Sequence, residues 1–200
     1  MAERTDGGSG HIGVADLVRR PAVIGALLWW FGLAIEYPFG LFPPGDGSLL
    51  YFFNAGTFVA ALVAWMVAVV RWRRGQASGP GRLAAWGFGI WVIGLGMIVI
   101  ATVFRVEAVG VLFPLGGVGI MLGGALVAVA SLRADELALG QRLALIQLGL
   151  AWLVIYLLLN VVILGREDPT WWIEALLGLS WFVAGMTVSD RRVRTPDPAA

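Results

Sequence analysis

Five polar side chains interrupt or close long apolar runs: Glu36, Asn54, Arg105, Asn160 and Glu174. Two carboxyls, two amides and a guanidinium are a chemical set that can bind a small polar solute or relay protons. In hydrocarbon a carboxyl is stable only when protonated or when ionised beside a cation. Arg105 is the cation the sequence offers to Glu36 or Glu174. At ~1.5 Å of rise per helical residue, Glu36 stands ~22 Å above the start of its run and Asn54 ~8 Å from the start of the next. Asn160 falls near the end of the fifth run, Glu174 about one turn into the sixth, and Arg105 closes the third together with Glu107. The five therefore gather toward one end of the runs. The same residues also suit a structural cluster that clips helix ends together, or side chains reaching for the interface. No run carries a charge at its middle, where transporters usually hold their substrate.

Helical spacing says which way these groups point, because residues three, four and seven apart share a face. Glu36 shares its face with Gly25 and Gly32, and Asn54 with Thr57, Ala61, Ala64 and Ala68. Glu174 lies over Gly178 and Gly185, and Asn160 over Tyr156 and roughly Gly149. Small residues mark the faces on which membrane helices approach closely, so the polar groups are expected to point into a bundle. Pro38 removes a backbone donor and disfavours helix at Tyr37. The first helix is expected either to kink there or, the preferred reading, to end at about Tyr37 with "PFGLFPPG" in the interface.

Other chemistries are excluded or unsupported. The chain has no cysteine, which rules out disulfides, thiol catalysis and cysteine-held iron–sulfur or zinc. The only histidine, His11, lies in a polar tail, so a haem held by two histidines in the membrane is ruled out as well. GxSxG, HExxH and phosphate-loop motifs are missing. Ser180 is the best-placed hydroxyl at depth and has no basic partner in its own run. Neither a metal site nor a cofactor is expected.

The elements that must position the polar groups follow from composition. Of 200 residues, 59% are hydrophobic and only 14% charged, and the mean hydropathy is +0.84. Soluble domains are typically about 45–50% apolar and about 25% charged. Lipid must therefore solvate much of this surface. Six apolar segments, roughly 21–41, 49–70, 83–104, 109–131, 143–164 and 171–188, each approach the ~20 residues needed to cross ~30 Å of hydrocarbon. A backbone in lipid must satisfy its own hydrogen bonds, which predicts helices, and no strand-like alternation competes. The expected fold is all-α: a polytopic membrane protein with six transmembrane helices as three antiparallel hairpins. Residues 1–20 and 190–200 are read as polar cytoplasmic tails flanking a bundle over 21–189. No signal-peptide pattern opens the chain, so the first run is expected to remain as a span.

All fourteen basic residues are arginine. If both termini share one side, twelve of the fourteen fall there, and only Arg105 and Arg166 fall on the other. The positive-inside rule then places both termini in the cytoplasm, in a prokaryotic inner (plasma) membrane. The polar cluster belongs to the outer leaflet on that reading. The net charge of +1 gives no pull toward nucleic acid.

Residues 52–73 and 112–133 align without gaps at an offset of 60, pairing Phe53 with Phe113, Gly56 with Gly116, Leu62 with Leu122 and Val67 with Val127. The fourth run carries Gly116, Gly119 and Gly123, a GxxxG-type face for packing within the bundle or against an oligomer partner. Of ten tryptophans, Trp72, Trp86, Trp171 and Trp172 fall near predicted boundaries, as interfacial anchors do. Trp29, Trp30, Trp65, Trp91, Trp152 and Trp181 fall within the runs, where they fill space against glycine or line a site for a quinone- or isoprenoid-like ligand. The leading expectation is a non-enzymatic membrane scaffold, stress-related protein or accessory subunit, with the bilayer and a membrane-protein partner or second copy as its contacts. A small carrier or channel built on the five polar residues is the alternative. A membrane subunit that binds a quinone- or isoprenoid-like ligand is a second alternative.

Overall fold

The computed structural model describes residues 20–39, 49–75, 81–104, 110–135, 137–163, 165 and 171–188, and these are all-helical. Six helices succeed one another: α1 (Pro21–Phe39), α2 (Leu49–Arg74), α3 (Arg82–Phe104), α4 (Leu112–Leu132), α5 (Leu139–Ala151, continued by a π-helical stretch Trp152–Ile163) and α6 (Trp171–Thr187). Helices α2, α3, α4 and α5 are long and apolar enough to cross a membrane. In α1 the apolar stretch Pro21–Glu36 is shorter, and α6 has 17 residues. Bulky apolar side chains such as Phe52, Ile93, Val118 and Leu158 are exposed on the outside, as in a membrane protein.

Several helices overrun the hydropathy boundaries. Helix α2 carries Arg71, Arg73 and Arg74 in its last turn, and α5 begins four residues before the expected position 143. Hydropathy marks where lipid ends, whereas backbone hydrogen bonding continues into water. Helix α1 is helical through Pro38 to Phe39 rather than stopping at Tyr37. It starts with Pro21 in the first helical position, where the missing N–H would have had no partner.

Neighbours in sequence are neighbours in space, and α6 packs back on α1. The six helices thus close into a ring. Glycines set the spacing. A Cβ on Gly94 would lie 2.7 Å from both the Gly116 carbonyl oxygen and the Ile120 nitrogen, and one on Gly123 would meet the Gly87 carbonyl oxygen at 2.7 Å. Gly124 and Gly149 bring α4 and α5 together in the same way. These contacts run 87 to 123 and 94 to 116, so α3 and α4 are antiparallel. In lipid there is no hydrophobic drive between helices, and such backbone approach is a main source of association.

Centrally, the ring is filled by indoles. Trp181 stacks on Trp65 with centroids 4.7 Å apart and planes 6° apart. It lies 6.0 Å from Trp72 and 5.5 Å from Trp91. Trp29 extends the cluster to Trp65 at 5.1 Å. Trp65, Trp91 and Trp181 have 0% exposure. Trp72 is therefore a core residue and not the interfacial anchor its position near a boundary implies. Trp86 and Trp171 are exposed, as anchors are.

The internal alignment does not extend to packing. Leu62 is buried but Leu122 exposed, and Val67 is exposed but Val127 buried. Gly56 has open space around it whereas Gly116 meets Gly94. Apolar helices of low diversity align without sharing a buried face. In α5 the pitch widens at Trp152, where the close-packed positions Ala144, Leu148, Gly149 and Ala151 end.

Candidate functional site

At one end of the α1–α2–α6 side of the ring, three of the expected polar residues converge. Glu36 is 7% exposed and Asn54 5%. The Asn54 Nδ2 donates to Glu36 Oε2 over a long 3.4 Å, linking α1 to α2. Glu174 on α6 lies within electrostatic range of Glu36. The faces that aim them are the small-residue faces. Gly32 of α1 is covered by the Phe58 ring of α2, and Gly25 by the indole of Trp65. Gly178 of α6 is covered by the indoles of Trp29 and Trp30. Those two indoles also donate hydrogen bonds of 3.0 Å to the Glu174 and Ala175 carbonyl oxygens. Helices α1 and α6 are thereby pinned at Glu174 itself, about two turns along α1 from Glu36.

The Asn54 Oδ1 is buried with no hydrogen-bond partner among the described residues. Thr57, one turn along α2, returns its hydroxyl to the Phe53 carbonyl at 3.0 Å. Arg105 and Glu107 lie outside the described residues. Asn160 falls in the π-helical stretch, and its side chain lies outside the described residues too. The site that can be drawn is thus Glu36, Asn54 and Glu174. Two acids and an amide hold a proton or a small cation by oxygen contacts. Among the described residues no group of three or more acids or histidines is placed to hold a metal ion.

No family model, curated protein or solved structure matches the chain. Its chemistry is therefore read from its own side chains. Gly116 and Gly123 pack on the backbone of α3, and Gly119 lies over Gly94, so this glycine face is occupied within the ring. Ser180 accepts from Gln147 Nε2 at 2.6 Å and donates to the Leu176 carbonyl at 3.0 Å, a bridge between α5 and α6.

The arginines have a second task that charge counting missed. Arg20 Nη1 donates to the Gly185 and Met186 carbonyls at 3.1 and 2.6 Å, at the end of α6. Arg142 donates to the Ser131 and Leu132 carbonyls at 3.0 and 3.1 Å, at the end of α4, and pairs with Asp135 at 2.7 Å. Helix ends leave carbonyls without intrahelical partners, and a cation there also opposes the helix dipole. The only signal in the sequence was an arginine beside the start of one helix and near the end of another.

Proposed function

We propose that this chain is a non-enzymatic integral membrane protein that crosses the inner (plasma) membrane six times, with both termini in the cytoplasm, and serves as a scaffold or accessory subunit of a membrane assembly. The observation that supports it is the filled centre: Trp65, Trp91 and Trp181 occupy the middle of the ring with no exposure. A solute path along that axis would have to displace stacked rings. The arginine asymmetry supports the orientation. Reconstitution in vesicles tests this reading, together with native electrophoresis of solubilised membranes. Flux of ions or small polar solutes equal to that of protein-free vesicles is expected, with the chain migrating in a discrete assembly larger than its own 21.4 kDa. Flux that scales with protein content would overturn it.

A second reading, a small carrier, is favoured by one observation, the convergence of Glu36, Asn54 and Glu174. It requires that Glu36→Gln abolish uptake while the fold persists. The scaffold reading requires that this variant leave assembly unchanged.

A further inference from the structure

At the opposite end of the ring from the acids, where α1 begins and α2 and α6 end, an open recess of about 20 Å³ is lined by Arg20, Arg71, Trp72, Gly185 and Val188. We infer that this recess seats one phosphate oxygen of an anionic phospholipid headgroup, with Arg20 and Arg71 as its ligands. A space of this size holds one water-sized atom. It can take a single phosphate oxygen while the rest of the headgroup stays at the surface. Among the described residues Arg20 is held in position through Nη1, on the Gly185 and Met186 carbonyls. Its Nε and Nη2 donors have no partner among the described residues and can face an oxyanion, and guanidinium suits phosphate by its fork of N–H groups. Arg71 approaches from α2, so the ligand would bridge two helices that meet at α1. Trp72 supplies an indole floor, continuous with the stack on Trp181. Under the orientation proposed above this end faces the cytoplasmic leaflet, where anionic lipids and basic residues meet.

The full-length protein, purified in detergent and stripped of lipid, tests the inference by thermal unfolding. It is titrated with phosphatidylglycerol, phosphatidylcholine or inorganic phosphate. The expected result is a rise in Tm with phosphatidylglycerol only. The variants Arg20→Gln and Arg71→Gln should each weaken that response about fivefold, the worth of one basic residue at an anionic surface. Arg74→Gln is the control, because it removes the same charge from the same helix end without lining the recess, and it should keep the response. Arg20→Gln also loses the carbonyl contacts on α6, so Arg71→Gln is the decisive variant if the former fails to fold. Equal responses to phosphatidylglycerol and phosphatidylcholine would overturn the inference. So would an equal loss in Arg74→Gln, which means diffuse attraction, or an equal shift with inorganic phosphate, which means a soluble ligand. The inference rests on the proposed orientation only for the choice of leaflet; lipid binding in detergent is read without flux or assembly, so its failure and that of the scaffold reading are distinguishable.

Discussion

At the scale of single residues, the acid in "GLAIEYPFG" is placed by its neighbours. Gly25 and Gly32 on the same face let α2 come close, and Asn54 then arrives beside Glu36. Hydrogen bonds between membrane helices are typically worth ~0.6 kcal/mol and at most ~1.7. A double-mutant cycle over Glu36→Ala and Asn54→Ala should therefore give a coupling of about 0.6–1.7 kcal/mol, measured by unfolding in mixed micelles. A coupling of zero would mean that the 3.4 Å contact holds nothing. Period-based reasoning reached the faces of Glu36, Asn54 and Glu174, because helical spacing relates residues of one helix. It did not reach the pairing of Glu36 with Asn54, which depends on the relative register of two helices. Glycine spacing sets a second test. Gly94→Ala pushes a methyl into the Gly116 carbonyl, and overpacking of this kind costs about 1–3 kcal/mol. Gly56→Ala adds a methyl to open space and removes a helix-interior glycine, so it should be neutral or stabilising by up to ~1 kcal/mol. Thermal unfolding of the two variants checks the contrast.

At the scale of elements, the centre of the ring is where sequence and structure part most clearly. The existence and order of the helices were legible, since apolar length alone dictates them. The closure of α6 on α1 was not, because adjacency in sequence suggests hairpins and says nothing of the last helix meeting the first. Trp72 shows the same limit: hydropathy puts it at a boundary, yet it stacks on Trp181. At Trp65, Trp91 and Trp181 the buried indole N–H groups meet no acceptor among the described residues, so ring contact is the main interaction of the centre. Trp181→Ala should cost about 3–5 kcal/mol, and Trp181→Phe clearly less, because no hydrogen bond is lost with the indole. Trp86→Phe, on the exposed side of α3, should change stability little. The near-parallel pair Trp65–Trp181 should also give a coupled signal in ultraviolet circular dichroism that disappears in either alanine variant.

At the scale of the whole molecule, arginine joins the two halves of the account. Arg20 and Arg142, which belong to the arginine-rich side on which the proposed orientation rests, also close the carbonyl ends of α6 and α4. The proposed orientation rests on counting arginines along the sequence. The capping was not legible there, because each cap joins an arginine to a helix whose end only the fold brings near. The chain has no cysteine of its own, so single cysteines report their side of the membrane without interference. Asp46→Cys and Asp168→Cys probe two of the three connections proposed to lie outside, and Ser78→Cys and Asp135→Cys the two proposed to be cytoplasmic. On intact cells a membrane-impermeant maleimide should label the first two and should reach the second two only after permeabilisation. Labelling of Ser78→Cys or Asp135→Cys on intact cells, or protection of Asp46→Cys or Asp168→Cys, would contradict the six-crossing arrangement on which the account stands.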